Sequence, residues 1–93
     1  MPIRSFKCAE TEKLFNGERI KRFTAFEAVA MRKLAMLNRA ARLDDLRVPP
    51  GNRLEMLKGD RARQYSIRIN ERYRVCFVWT AAGPSEVEIV DYH

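Results

Sequence analysis

The spacing of apolar residues changes halfway along the chain. In the first half, apolar residues recur at helical intervals, at Phe26, Ala30, Leu34, Leu37 and Ala41. This stripe predicts an amphipathic helix that packs one face on a core. Thr24 and Glu27 have the spacing of a capping box, so we expect the helix to begin at Thr24. The interleaved basic residues, Lys33 among them, occupy the other faces of the helix, and the arginines are expected in solvent. A shorter helix is predicted over residues 8–15.

The second half alternates with the period of β-strands. Tyr65, Ile67 and Ile69 alternate with Ser66 and Arg68, and strands are also predicted over residues 73–79 and 86–92. Residues 2–7 and 52–57 are expected to be shorter strands, the latter with Leu54 and Met56 facing inward.

The order of these segments predicts an α+β fold. A short N-terminal strand and two helices precede an antiparallel meander, giving a sheet of four or five strands with helices on one face only. The other face is expected to be open to a ligand.

The length and net charge of the chain limit the classes of function that it can have. The chain has 93 residues, which suits a single domain over 1–93, and a formal net charge of +6. These values exclude a multidomain enzyme and a dinucleotide-binding fold, and they favour a polyanionic partner. Of the 18 basic residues, 13 are Arg, whose planar donors match phosphate.

With two cysteines and one histidine, the sequence offers few metal ligands and few partners for disulfide bonds. Cys8 and Cys76 form no disulfide framework and, with His93, no conventional zinc set, so neither metal nor cofactor is expected. The N-terminus lacks the apolar stretch of a signal peptide, and no apolar run is long enough to span a membrane. A reducing cytoplasm is the expected location.

Two groups of residues suggest chemistry on phosphate. Arg68 and Arg74 lie on adjacent strands of the predicted hairpin and should be neighbours on the open face. Two like charges repel there, and an anion between them would relieve the repulsion. The alternative is two solvated arginines.

The chain ends in Asp91-Tyr92-His93. His93 could transfer a proton, Tyr92 could stack on a base, and Asp91 could orient either; the alternative is a frayed, idle terminus. By strand alternation Asp91 and His93 share the face of Val87, so the tail is expected to twist off the sheet at Val90.

Longer motifs give the chain a family resemblance. Leu57-Lys58-Gly59-Asp60-Arg61, Tyr65-Ser66-Ile67-Arg68-Ile69-Asn70 and the terminal Asp91-Tyr92-His93 together resemble the HigB branch of the RelE/ParE toxin superfamily over essentially the whole chain. The resemblance implies a RelE-like fold and a toxin that is a ribosome-dependent, metal-independent mRNA endonuclease. Such toxins cleave mRNA in the ribosomal A site and inhibit translation and growth.

The resemblance also implies partners and residue roles. A HigA-type helix-turn-helix antitoxin would neutralise the toxin, and operator DNA would be reached only through that antitoxin. Asp91, Tyr92 and His93 match the catalytic positions. Lys58 and Arg74 match positions expected to bind RNA phosphate, and we add Arg61 and Arg68 to them. Glu55 stands where several members have His, and it could act as a base.

Three other functions stay open. The chain could be a non-catalytic module that occupies the ribosome or the antitoxin, a ParE-like poison of DNA gyrase, or a partner that serves only in co-repression. Fold does not decide among them. The terminal Asp91-Tyr92-His93 favours RNA cleavage.

Overall fold

A computed structural model describes residues 1–92 of the chain. The α-helices in this part are α1 (Ala9–Phe15) and α2 (Glu27–Arg39). The strands are β1 (Glu55–Met56), β2 (Gln64–Arg68), β3 (Tyr73–Thr80) and β4 (Gly83–Asp91). Short 3₁₀ turns join them, at Lys21–Phe26, Leu43–Arg47, Pro50–Asn52 and Gly59–Arg61. All paired strands are antiparallel, in the order β1-β2-β3-β4. The predicted α+β meander is confirmed.

The core lies between the helices and one face of the sheet. Ala30, Leu34 and Leu37 of α2 are completely buried, as the helical stripe predicted. They pack with inward residues of the sheet, which include Ile67, Val75, Phe77, Val87 and Ile89. Burial of this apolar surface is the main force that holds the helices on the sheet. The opposite face carries no helix within residues 1–92.

The N-terminal segment runs beside β4 but forms less of a strand than predicted. Phe6 and Val87 make a single parallel bridge, and the Arg4 and Lys7 amides donate to β4 carbonyl oxygens at 2.7 and 3.0 Å. These bonds occupy the outer edge of β4.

The start of the main helix differs from the sequence prediction. Thr24 lies in the 3₁₀ turn Lys21–Phe26, and its hydroxyl donates to the Ile20 carbonyl at 3.2 Å instead of capping α2. The turn carries Phe23 into the core, where it is completely buried. Burial of an aromatic ring outweighs a cap hydrogen bond, so the capping box does not form.

Lys33 of α2 is buried, although it lies off the apolar stripe. Two other expectations were wrong. The strand expected over residues 52–57 contracts to β1, where Met56 is 64% exposed, because Arg53 adopts a left-handed conformation that ends regular pairing. The chain does not leave the sheet at Val90: Asp91 still pairs with Tyr73, and the Tyr92 amide donates to the Arg72 carbonyl at 2.7 Å.

Candidate phosphate-binding groove

The helix-free face is built by alternate residues of all four described strands. Directly opposite residues of neighbouring antiparallel strands point to the same face. One row crosses the sheet as Glu55, Ser66, Cys76 and Glu88, and the next contains Arg68, Arg74 and Val90. Arg68 and Arg74 are directly opposite one another, which confirms their predicted proximity.

Arg74 is a buried cation on this face. Its residue surface is 9% exposed, and its Nε donates to Ser66 Oγ at 2.7 Å. Its Nη2 donates to the Arg53 carbonyl at 2.7 Å and lies 3.4 Å from Glu55 Oε1. Three protein oxygens therefore fix the guanidinium, and the Glu55 carboxylate supplies part of the negative charge that two facing arginines require.

Tyr92 directly follows β4 and lies beside Cys76 and Arg74. Its hydroxyl lies 3.8 Å from Cys76 Sγ, and its ring centroid lies 5.9 Å from the Arg74 guanidinium carbon. Burial raises the pKa of Tyr92 above its ordinary value, and the contact with Cys76 raises it further. The phenol therefore stays protonated at neutral pH, where it can donate a hydrogen bond or present its ring.

These side chains border a groove of about 400 Å³. It is lined by Arg53, Glu55, Arg68, Asn70, Glu71, Arg74 and Tyr92. Four of the residues singled out from the sequence, Glu55, Arg68, Arg74 and Tyr92, therefore meet in one place. Guanidinium groups together with a carboxylate suit a phosphodiester with a hydroxyl group beside it.

Asp91 is a proposed site residue that does not line the groove. The Asp91 carboxylate accepts hydrogen bonds from Arg72 Nε and Nη2, at 3.0 and 2.8 Å, on the face that packs toward the helices. This hydrogen bond raises the pKa of Arg72. His93 lies outside the described residues.

Two basic positions of the family motif do not line the groove. Arg61 Nη1 donates to Glu88 Oε1 at 2.9 Å and to Gln64 Oε1 at 3.2 Å. The hydrogen bond to Glu88 raises the pKa of Arg61. Lys58 is exposed just before the 3₁₀ turn Gly59–Arg61.

Sequence reasoning missed three of the lining residues. Arg53 reaches the groove through its left-handed backbone, with φ of 46°, which no pattern indicates for an arginine. Asn70 lies in the hairpin, where its Oδ1 accepts the Arg72 and Tyr73 amides, both at 2.8 Å. Glu71 follows it. The composition of the hairpin, Asn70-Glu71-Arg72, indicated a turn, and a turn beside the open face is the signal that could have placed them.

Neither a metal-ligand cluster nor a membrane-spanning helix is found among the described residues. Within residues 1–92, no cluster of three His, Cys, Asp or Glu side chains could hold a metal ion. In the same part of the chain, no helix is both long and apolar enough to cross a bilayer.

Comparison with known proteins agrees with this architecture. A YoeB/ParE toxin from Agrobacterium tumefaciens superposes with a TM-score of 0.57, with all of both chains covered, at 18% identity. That likeness establishes the class of fold.

Sequence comparison then establishes the family. The model of the RelE-like toxin of type II toxin-antitoxin system HigB matches residues 4–93. Toxin HigB-1 of Vibrio cholerae is 38% identical over 76 residues, 80% of each chain. An uncharacterised protein of Haemophilus influenzae is 43% identical over 49 residues, 53% of this chain and 48% of its own. The chain belongs to the HigB-like toxins of type II toxin-antitoxin systems, whose toxins act with a cognate antitoxin and are known as endoribonucleases.

Proposed function

We propose that the protein is a ribosome-dependent, metal-independent endoribonuclease that cleaves mRNA in the A site. The observation that carries this proposal is the groove that Arg68, Arg74, Glu55 and Tyr92 line together. The hydrogen bonds that hold the Arg74 guanidinium preorganise a donor for the charge that develops on phosphate during cleavage. Family membership supports RNA as the substrate.

The reaction would use the RNA's own 2′-hydroxyl. Its oxygen attacks the adjacent phosphorus and the bond from phosphorus to the 5′-oxygen breaks, leaving a 2′,3′-cyclic phosphate and a 5′-hydroxyl. A base accepts the 2′-hydroxyl proton, and an acid protonates the departing oxygen. Glu55, one of the two glutamates that line the groove, would be the base. Arg68 and Arg74 bind the phosphate oxygens.

The C-terminal residues complete the proposal. His93 would transfer the second proton, and Tyr92 would stack on a base or orient it. Asp91, paired with Arg72, would order the strand end and could orient His93. Lys58 and Arg61 would bind the RNA backbone beyond the groove.

The partners follow from the same proposal. A HigA-type helix-turn-helix antitoxin would neutralise the toxin and carry it to operator DNA. The ribosome and mRNA would be its targets, which places the protein in the cytoplasm.

Cleavage within translated mRNA tests the proposal directly. The protein is expressed from a tightly controlled promoter, and RNA ends with 5′-hydroxyl groups are mapped. We expect such ends within coding sequences, strongly reduced in Glu55→Gln, Arg68→Ala and His93→Ala variants. The matched control is Arg32→Ala, which removes an exposed arginine of α2 that does not line the groove. It should cut like the parent chain.

A reconstituted translation reaction separates the alternatives. We expect cleavage of ribosome-bound mRNA, none of free mRNA, and none when the A-site nucleotide before the cut lacks its 2′-hydroxyl. Growth arrest without new 5′-hydroxyl ends would favour a non-catalytic binding module. Growth arrest with DNA damage signalling and intact mRNA would favour gyrase poisoning.

A further inference from the structure

Asn52 is a completely buried polar residue between α2 and β1. Its Nδ2 donates to the Leu46 and Val48 carbonyls, at 3.1 and 3.4 Å, and its Oδ1 accepts from Lys33 Nζ at 2.5 Å. An amide satisfied on both its donor and acceptor sides has one orientation. The side chain therefore fixes the segment that leads into β1.

Lys33 explains why this orientation is maintained. It projects from α2 with only 9% of its surface exposed. An apolar side chain of similar length would fill the same space, but only a donor can satisfy Asn52 Oδ1. A buried lysine is otherwise costly, which indicates a specific role for its amine.

Arg53 follows Asn52 and lines the groove, so a fixed Asn52 also restricts the position of Arg53. Its backbone has φ of 46° and ψ of 56°, a left-handed conformation that a residue other than glycine keeps only where its surroundings fix it. In this conformation the Arg53 carbonyl accepts from Arg74 Nη2 at 2.7 Å.

Two of the three guanidinium nitrogens of Arg74 already have hydrogen-bond partners. Nε is engaged by Ser66 and Nη2 by the Arg53 carbonyl. Within residues 1–92, Nη1 makes no hydrogen bond, so it remains available at the groove. The position of the Arg53 carbonyl thus decides which nitrogen is offered to a phosphate oxygen.

We propose that Asn52, held by Lys33, is a positioning residue for Arg74: it fixes the Arg53 carbonyl, which orients the guanidinium toward the groove. The orientation of Arg74 is a property of the folded chain alone. Its effect on RNA cleavage rests on the proposed function.

The orientation is tested first, without RNA. When a hydrogen bond restricts rotation of a guanidinium group, its two terminal nitrogens give separate NMR signals. We expect separate Arg74 signals in the parent chain and merged signals in Asn52→Ala. The matched control is Asn38→Ala, which removes another amide that bonds backbone, Oδ1 to the Ile3 amide at 3.0 Å, away from the groove. Its Arg74 signals should stay separate.

A second variant tests the same contact from the lysine side. If Asn52→Ala does not fold, Lys33→Met keeps the aliphatic stem and removes only the donor to Asn52. It should also merge the Arg74 signals. Signals that stay separate in a folded Asn52→Ala or Lys33→Met chain would overturn the proposal.

Cleavage kinetics then test the functional consequence. Asn52→Ala should lower kcat on ribosome-bound mRNA about tenfold, or about 1.4 kcal/mol, with KM little changed. In an Arg74→Met background the same substitution should cost nothing further, because its effect acts through Arg74. Equal losses in both backgrounds would indicate a general structural role and overturn the proposal.

The NMR signals of Arg74 and the RNA cleavage assay together show which of the two proposals fails. If the parent chain cuts no RNA while the Arg74 signals merge as expected, the proposed function fails and the positioning role stands. If the parent chain cuts RNA and the signals do not merge, the positioning role fails alone.

Discussion

Replacing Arg74 by methionine tests the energetics of the groove. The substitution removes the hydrogen bonds to Ser66 Oγ and to the Arg53 carbonyl, and the ion pair with Glu55, whose exposed carboxylate is then solvated by water. Methionine fills much of the same space and no longer requires a cation to be buried, so these two effects partly offset the lost bonds. The remaining cost is that of buried groups left without a partner.

The structure indicates which group that is. Ser66 is completely buried, so its hydroxyl loses Arg74 as a partner and cannot readily reach water. A buried polar group in this state costs about 1–3 kcal/mol. Arg53 is exposed, so its carbonyl can bond to water. We therefore expect Arg74→Met to lower the free energy of unfolding by about 2 kcal/mol.

A second substitution should then restore stability. Adding Ser66→Ala to Arg74→Met removes the unsatisfied hydroxyl and should return about 1 kcal/mol. Urea unfolding followed by the fluorescence of Trp79, the single tryptophan, measures both changes at equal m-values. Arg68→Met, on the facing strand, is the control and should stay within about 0.5 kcal/mol of the parent. A double variant less stable than Arg74→Met alone would refute the reasoning.

The remaining predictions concern the core, a turn and a titrating group. Leu34→Ala should lower the free energy of unfolding in urea by about 2–5 kcal/mol, because Leu34 is completely buried; a loss below about 1 kcal/mol would contradict its core position. Gly83→Ala should weaken hydrogen-exchange protection of the N-terminal segment, since φ is +126° and a Cβ would lie 2.7 Å from a backbone oxygen there. Gly51→Ala, which meets open space, should leave that protection unchanged. The raised pKa of Tyr92 means that folding favours the neutral phenol. The stability that this preference contributes is fully present below the pKa of Tyr92 in the unfolded chain, and it is lost as the pH rises through the pKa in the folded chain. Ultraviolet titration should show this raised pKa, and Cys76→Ala should lower it; an unchanged value would exclude the contact as a cause.

Strand alternation predicted the central part of the groove. In a strand, successive side chains point to opposite faces, so the short connection at Asn70-Glu71-Arg72 sets Arg68 opposite Arg74. The same alternation put Tyr92 on the face opposite Val87, where the structure places it. These features depend on local geometry, which a sequence pattern carries.

Features that depend on distant contacts were not predictable. The cap at Thr24 was lost because a 3₁₀ turn buries Phe23, which is a gain in tertiary packing. The left-handed Arg53 and the buried Lys33–Asn52 pair arise from contacts between α2 and the segment before β1. No periodicity indicates such contacts, and they decide how Arg74 is held.

The roles of individual residues in the candidate site stay predictions. The structure brings Glu55, Arg68, Arg74 and Tyr92 together, whereas Asp91 bonds Arg72 on the other face. Chemistry-bearing residue types were recognisable from the sequence. Their distances were not, because they depend on the bulge at Cys76/Val78 and on the exact path of the chain before β1.

The two borders of the sheet bear on how the free toxin behaves at high concentration. Unpaired strand borders are templates on which further chains assemble into aggregates. Here one border is occupied by the bridge between Phe6 and Val87, and the other, β1, is two residues long and carries the charged Glu55. A toxin released from its antitoxin would therefore be protected from polymerising through its own sheet.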